Sequence, residues 1–215
     1  MAGPSAHAHP QAPPRPHLGR REHRRLGRLL HDAQRAGRCA EPLARQYPEL
    51  TAGDAYEIRD ELVRRRLAGG DRLVGATVGR GPGGDLVHGW LTDAMVRPGG
   101  GVLGPGARPA VAVTVAWPPA GGDPLAGARG ARRCVELVGP RTHDMVDVMA
   151  ANRCIEAVVL DAAAPSPAEL AAVREPLQWL AARCTGADAR LAGVLAAEPQ
   201  LVLVVSGAPA PEAGA

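Results

Sequence analysis

Two helical segments followed by five short apolar segments typical of β-strands constrain the fold of this chain more than any other feature. The apolar segments begin at Leu73, Val111, Cys134, Ile155 and Leu201. They are irregularly spaced, and few helical patterns lie between them. A doubly wound parallel sheet needs a helix after nearly every strand, whereas irregular strands after leading helices are typical of the α+β class. The sequence therefore predicts an α+β fold.

Residue patterns typical of helices precede the first predicted strand and recur between later ones. An apolar stripe predicts a first helix over about 20–37. Thr51 followed three residues later by Asp54 is a helix-capping pattern, which predicts that a second helix begins there. Two more helices are expected, over 142–152 and after Ser166.

Composition divides the chain into four segments. Residues 1–19 are rich in Pro, His and Ala, and we expect a disordered tail there. A helical segment is predicted over 20–72 and a sheet domain over 73–207. Residues 208–215 are expected to be a second disordered tail.

Charge and residue types exclude several kinds of chemistry. All 25 basic residues are arginine, so neither a Schiff-base lysine nor a phosphate-binding lysine is available. Residues 1–45 hold nine arginines against three acids, a balance of +6. This Arg-rich N-terminus could contact nucleic acid, but no aromatic residues are interleaved with the arginines. A solvated arm is the alternative that we favour.

Cysteine spacing and hydropathy bear on the compartment. The four cysteines are far apart and form no CxxC pair, so we expect reduced thiols and no zinc site. No apolar run approaches the ~20 residues of a membrane span. Residues 1–20 lack the apolar core of a signal peptide. Together these features predict a cytoplasmic protein without a membrane partner.

The stretch Leu73–Gly84, LVGATVGRGPGG, ends in glycines at the spacing GxGxxG. A dinucleotide site of this type requires a helix to open at the last glycine, so that backbone N–H groups meet the pyrophosphate. Pro82 lies inside the motif and Gly89 interrupts the segment that follows. We therefore expect a strand and a turn here.

Four motifs occur in a fixed order: AYEIRDELVRRRLAGGDRLVGATVG at 55–79, HGWLTDAM at 88–95, VELVGPR at 135–141 and AANRC at 150–154. Together they resemble the 2-keto-4-pentenoate hydratase and 4-oxalocrotonate decarboxylase family of the fumarylacetoacetate hydrolase superfamily. The likeness covers about 24–160 and continues less closely to 207. It implies a mixed β-roll with an N-terminal helical segment, and hydration or decarboxylation of an unsaturated 2-oxo acid.

The resemblance also implies a divalent metal, Mg²⁺ or Mn²⁺, held by three carboxylates, with a lysine nearby. One carboxylate matches Glu136, whereas the positions of the Glu-x-Glu pair fall on Ala110 and Ala112 and the lysine position falls on Thr77. Residues i and i+2 of a strand project to the same side, which is why the paired carboxylates reach one ion. A single carboxylate binds Mg²⁺ poorly, so metal-dependent activity is expected to be weakened or lost.

By the same resemblance, the catalytic candidates are Thr77, His88 and Asp93, the substrate-binding candidates are Trp90, Asn152, Ser206 and Gly207, and Glu136 is a residual single metal ligand. The alternative for Glu136 is an ion pair with an arginine such as Arg141. Asp144 and Asp147, beside His143, are open to two interpretations: a substitute ligand pair or a solvated helix face.

Three hypotheses about function follow. The first is a divergent hydratase- or decarboxylase-like protein that acts on, or binds, a small 2-oxo acid. The second is a non-catalytic partner or scaffold subunit of a related enzyme, since the family implies homo-oligomers or association with a paralogue. The third is nucleic-acid contact through the Arg-rich N-terminus, and it rests on charge alone.

Overall fold

The computed structural model describes residues 17–38, 40–99, 106–115, 125, 128–139, 144–186 and 201–206. Most of the predicted N-terminal tail and all of the predicted tail 208–215 lie outside the described residues. Gly207, Arg141 and His143 lie outside them as well.

Five α-helices are described: α1 (Arg20–Arg35), α2 (Leu43–Gln46), α3 (Ala52–Ala68), α4 (Met145–Ala150) and α5 (Pro167–Gly186). The predicted capping pattern at α3 is confirmed, because Thr51 Oγ1 accepts from the Asp54 N–H and the Asp54 carboxylate accepts from the Thr51 N–H. Helices α1 and α3 pack closely at Gly27, where a Cβ atom would lie 2.7 Å from the side chain of Glu61. The N-terminal helices therefore form one packed layer.

Among the described residues, seven strands form one mixed sheet: β1 (Leu73–Arg80), β2 (Leu86–Thr92), β3 (Val96–Pro98), β4 (Ala107–Val115), β5 (Ala128–Val138), β6 (Ile155–Leu160) and β7 (Leu201–Ser206). Their order is β2-β1-β7-β4-β5-β6-β3. The pairs β1–β7 and β3–β6 are parallel and the other pairs are antiparallel. The predicted α+β class is confirmed, and no described helix is long and apolar enough to cross a membrane.

The glycine cluster after β1 is the turn of a β-hairpin. The Gly81 N–H donates to the Asp85 carbonyl at 2.9 Å, and strand β2 follows at once. Gly84 has a φ of +86°, a conformation that favours glycine. The expectation of a strand and turn is confirmed, and no helix opens at this motif.

The helices cover one face of the sheet and form the larger hydrophobic core with it. This core joins Leu26 of α1 and Ile58 of α3 to Val78 of β1, Val111 of β4 and Leu177 of α5, all buried. Burying apolar surface between layers is the main favourable term in folding. The opposite face of the sheet carries a smaller buried cluster, described below.

Asp54 is a fully buried carboxylate that ties the residues before α1 to the start of α3. It accepts from Leu18 N at 2.7 Å, His17 N at 3.0 Å and His23 Nε2 at 2.9 Å, in addition to the contacts with Thr51. Burial alone would raise the pKa of Asp54, but hydrogen bonds from Thr51, His23 and the backbone outweigh burial and lower it.

The depressed pKa of Asp54 makes the stability acid-sensitive. Because the unfolded carboxyl titrates near pH 4, stability is present above that pH and is lost as the pH falls towards the folded pKa. We expect Asp54→Asn to remove up to about 1.4 kcal/mol per pH unit from the slope below pH 4. Urea unfolding at pH 2.5–6 measures this slope. Asp32→Asn, at an exposed site of α1, is the control that should leave it unchanged.

Candidate functional site

The face of the sheet that points away from the helices carries the positions matched to the family's metal site. Thr77 lies between two β1 residues that pack with the helices, so its side chain lies on the opposite face. Ala110 pairs directly with Cys134 across the β4–β5 ladder, and both belong to the smaller core cluster with Ala112. Glu136, two residues beyond Cys134, shares their side. We call this the inner face.

A buried cluster of Thr77, Glu136 and Arg153 occupies the inner face. The Thr77 hydroxyl donates to Glu136 Oε1 at 2.7 Å. Arg153 donates from Nη1 to Oε1 at 3.1 Å and from Nη2 to Oε2 at 3.4 Å, and Nη1 also donates to Thr77 Oγ1. The Glu136 side chain is 0% exposed and that of Arg153 is 3% exposed. Both carboxylate oxygens are therefore satisfied by this chain.

The cluster also shows how strongly the sheet curls. Strands β1 and β5 are separated by β7 and β4, yet Thr77 and Glu136 are in hydrogen-bond contact. Along the ladder, Thr77 is level with Val204 of β7, which in turn pairs with Ala112 of β4. The two strands between β1 and β5 thus carry only apolar side chains at this level. The hydroxyl and the carboxylate meet across the concave side of the sheet.

An unusual backbone turn presents Arg153 to Glu136. Asn152, Arg153 and Cys154 have φ values of 54°, 59° and 56°, so three successive non-glycine residues are in the left-handed region. Each such residue costs roughly 1–2 kcal/mol. The surrounding structure holds the turn in place, since Cys154 O accepts from the Gly139 N–H at 2.8 Å and Cys154 N donates to Ala151 O at 2.9 Å.

Asn152 fixes the same turn against β2. Its amide oxygen accepts from the Trp90 N–H at 2.6 Å, and its amide nitrogen donates to the Trp90 carbonyl at 2.9 Å. A Cβ atom at Gly89 would lie 2.7 Å from that amide oxygen, so only glycine permits this approach. The amide oxygen and nitrogen of Asn152 are both bonded to the backbone of β2, so Asn152 is a positioning group in this structure.

His88 and Trp90 lie on the helix-facing side of β2, in a cluster with Tyr56, Arg59 and Trp179. The His88 ring stacks on Tyr56 with centroids 5.1 Å apart, and Trp179 lies 6.0 Å away. The Arg59 guanidinium lies over Tyr56 at 4.6 Å and over Trp90 at 5.4 Å from the ring centroids. These contacts join α3 and α5 to the sheet.

His88 is fully buried and neutral. Burial lowers its pKa well below the usual value, and the positive charges of Arg59, Arg183 and Arg153 lower the pKa further. Its Nε2 lies 2.9 Å from Arg59 Nη1, which has only protons to offer, so Nε2 accepts and Nδ1 carries the ring proton. In this position His88 is a structural acceptor for Arg59.

The remaining candidates lie in different places. Asp93 is at the surface, where it accepts from Arg72 N at 2.8 Å and Arg72 Nε at 3.0 Å. Ser206 pairs with Ala110 along β7–β4, at the edge of the inner-face cluster. Asp147 accepts from the Leu43 N–H at 2.6 Å and so anchors α2. The structure thus brings together Thr77 and Glu136, with Ser206 nearby along the ladder.

The residues of the inner face do not fit the divalent metal that the family implies. Mg²⁺ needs several oxygen ligands, and the two oxygens of Glu136 are already bound by Arg153 and Thr77. Ala110 and Ala112 offer no oxygen from their side chains. Among the described residues, no group of three or more His, Cys, Asp or Glu side chains is arranged to hold a metal ion.

Cys134 is no substitute nucleophile or ligand on this face. Burial raises the pKa of its thiol to about 12, and the charge of Glu136 adds to the effect. The thiolate is the nucleophilic and metal-binding form, and it is essentially absent at neutral pH. Cys134 therefore acts as a small apolar residue of the inner face.

Sequence reasoning missed two arginines at the centre of these clusters, Arg153 and Arg59. The sequence offered one signal for Arg153, because this charged residue directly follows the matched Asn152 in the motif AANRC. The partner of Glu136 is Arg153. Arg59 carried no signal of its own, because RDELVRRR looks like a solvated helix face in sequence.

A cavity of about 570 Å³ lies elsewhere in the molecule. It is lined by α1, the segment around α2, and the start of β6, including Leu30, Gly37, Arg66, Ala151 and Ile155. Thr77, Glu136 and Arg153 do not line it. The cavity is therefore not lined by the cluster itself, although Ala151 and Cys154, from the turn that carries Arg153, line it.

The burial of His88 gives a testable prediction. We expect its ring to stay neutral, with the proton on Nδ1, from pH 8 to pH 5, because charging it would place a third cation beside Arg59 and Arg183. Ring ¹⁵N chemical shifts measure both properties, and His88→Gln assigns the signal. A His88 signal that titrates near pH 6.5 would contradict the buried, neutral assignment. Exposed histidines of the same sample are the internal control.

No family model matches the chain. A curated relative, 2-hydroxyhexa-2,4-dienoate hydratase from Comamonas testosteroni, is 29% identical over 169 residues, which cover 67% of this chain and 64% of the relative. Two solved structures of 4-oxalocrotonate decarboxylase from Pseudomonas putida G7 have a similar fold. The complex with calcium and acetate has a TM-score of 0.62 at 24% identity, and the complex with magnesium and adipate has 0.61 at 22% identity.

Each of these structures is matched over 69% of this chain and 65% of its own length. The chain therefore spans just under two thirds of the length of the proteins that it matches. The hydratase supplies the similarity in sequence, and the decarboxylase supplies the similarity in fold. Together they support the resemblance to the hydratase and decarboxylase family of the fumarylacetoacetate hydrolase superfamily, at modest identity.

Proposed function

We propose that this chain is a divergent hydratase- or decarboxylase-like protein in which metal-dependent chemistry on an unsaturated 2-oxo acid is weakened or lost. Its relatives are hydratase and decarboxylase enzymes, which supports the family-level function. One observation carries the proposed loss. Glu136, the matched metal ligand, is fully buried and already bound by Arg153 and Thr77.

Metal binding at Glu136 would have to break this ion pair. Removing one partner of a buried salt bridge leaves the other charge uncompensated, at a cost of about 3–5 kcal/mol. That amount would be subtracted from the affinity of an ion with one protein carboxylate and two alanines around it. Because a catalytic metal supplies several kcal/mol of transition-state stabilisation, weak binding removes most of the rate.

A 2-oxo acid that still binds would meet Thr77 and Glu136 on the inner face. Ser206, the last residue of β7, and Gly207, which follows it in the sequence, are further candidates. His88, Trp90 and Asn152 would act indirectly, since they hold β2 and the turn of Arg153 in place. Asp93 would hold the loop after β2 through Arg72. Their roles are thus divided between contact with a ligand and positioning.

A non-catalytic partner subunit of a related enzyme is the second candidate. It is favoured by Ala110 and Ala112, which make the inner face apolar where the family carries charged ligands. Such a subunit would keep the fold and lose the chemistry. Stable co-purification with an intact hydratase or decarboxylase, together with absence of turnover, would support it.

The proposed loss is tested by thermal unfolding with metal. We expect no rise in Tm at millimolar Mg²⁺ or Mn²⁺, with or without oxalate as a mimic of an enolised 2-oxo acid. A ligand that binds only the folded state must raise Tm, so an unchanged Tm means that the metal does not bind. We also expect little or no turnover of a 2-hydroxy-2,4-dienoate substrate.

The decarboxylase from Pseudomonas putida G7 is the positive control for metal binding in the same assay. A rise in Tm that needs both metal and oxalate, and that Glu136→Gln removes, would contradict the proposal. So would turnover that depends on added metal and fails in Glu136→Gln.

A further inference from the structure

We infer that Arg153 has taken the place of the divalent ion as the counter-charge of Glu136, which makes the inner face a metal-independent site. The inference goes beyond the proposed loss of chemistry, because it names what replaced the metal. It rests on the proposed correspondence of Ala110, Ala112 and Thr77 with the family's ligand and lysine positions.

The contacts of Arg153 are those of a built ion pair. Its two terminal nitrogens approach the two oxygens of Glu136 at 3.1 and 3.4 Å, and both side chains are almost completely buried. Thr77 joins the pair by donating to Glu136 and accepting from Arg153. A planar guanidinium offers parallel donors that match a carboxylate, so the pairing is directional as well as electrostatic.

Charge accounting supports the replacement. Three carboxylates, a divalent ion and a lysine sum to zero in the site that the resemblance implies. Here the charges of Glu136 and Arg153 cancel, with alanine at both other carboxylate positions and threonine at the lysine position. Arg108, the partner of Glu136 across the β4–β5 ladder, adds a further cation on the side of β4 that carries Ala110 and Ala112. A buried, unpaired Glu136 would be strongly unfavourable. The side chains around Glu136 therefore leave no excess negative charge for a divalent ion to neutralise.

The available space supports the same conclusion. Ala112 is level with Val204 and Thr77 along the ladder, and Ala110 lies two residues away on the same side of β4. The contact between Thr77 and Glu136 spans this part of the sheet. Glutamates at 110 and 112 would project into the same concave space and bring two more negative charges to it.

The strained turn indicates that the placement of Arg153 is a maintained feature. Three successive non-glycine residues are held at positive φ, and the turn is pinned by Asn152 on one side and by the Gly139–Cys154 hydrogen bond on the other. Strain of this kind persists only where surrounding contacts fix it. The turn directs the guanidinium to Glu136, where a metal would otherwise be needed.

A double-mutant cycle tests the pair directly. We expect Arg153→Met and Glu136→Gln each to lower Tm, and the double variant to lose clearly less than the sum of the two losses, because the single variants leave a buried group without its partner. The measurement is made with EDTA and again with Mn²⁺. Additive losses, or an unchanged Tm in Arg153→Met, would overturn the inference.

A conversion experiment tests the replacement. We expect the triple variant Ala110→Glu, Ala112→Glu, Arg153→Ala to gain roughly 5 °C or more in Tm with millimolar Mn²⁺. The matched control has Gln in place of both glutamates, and a second control keeps Arg153 beside both glutamates. Neither control should respond to Mn²⁺. A triple variant that folds only when Mn²⁺ is present would also support the replacement, because its stability would then depend entirely on the metal.

The outcomes separate this inference from the proposed function. Mn²⁺ stabilisation of the natural sequence that Glu136→Gln abolishes would overturn both. Turnover of a dienoate substrate in EDTA would contradict the expectation of little or no turnover, but it would leave the loss of metal-dependent chemistry and the Arg153 pairing intact. A response of the Gln control equal to that of the triple variant would overturn the replacement alone.

Discussion

The buried carboxylate of Glu136 is the constraint on which the rest of the inner face depends. A carboxylate that is 0% exposed must have a cation and hydrogen-bond donors within reach. Thr77 reaches it across two intervening strands because the sheet curls, and the residues of those strands that are level with Thr77, Val204 and Ala112, are apolar. Arg153 reaches it only because its backbone adopts a left-handed turn. One buried charge thus links the curvature, the small residues and the strained turn.

The helix-facing side is organised around cations as well, and β2 connects the two sides. Arg59 is fully buried among aromatic rings and donates to both Asp60 and His88. In the same strand, the backbone of Trp90 forms two hydrogen bonds with the Asn152 side chain, and these fix the turn that carries Arg153. A change in the packing of β2 on α3 would therefore be transmitted to the Glu136 pair through a few hydrogen bonds, although His88 and Glu136 lie on opposite faces.

Much of the fold could be predicted from local sequence patterns, and the site only in part. Apolar runs located β1, β4, β5, β6 and β7, and the Thr51 cap located the start of α3. Strand β2 was missed because Gly89 interrupts its apolar pattern, and the reason for that glycine is a contact with Asn152, 63 positions along the chain. Arg153 was missed for a similar reason. Its partners are 76 and 17 positions away, and no local pattern encodes such distances.

Arginine suits the place that we propose for it, as the counter-charge of Glu136 instead of a metal, because of its charge and its shape. The chain has no lysine, so arginine is its only cationic side chain that remains charged when buried at neutral pH. A guanidinium pairs with one carboxylate through two parallel donors, whereas a divalent ion needs several oxygen ligands to offset its lost hydration. One glutamate therefore balances the single charge of an arginine and accepts both of its parallel donors. It neither balances the two charges of a divalent ion nor supplies enough oxygen ligands for one. In the proposed correspondence two ligand positions carry alanine, and the geometry around Glu136 shows how its buried charge is compensated without them.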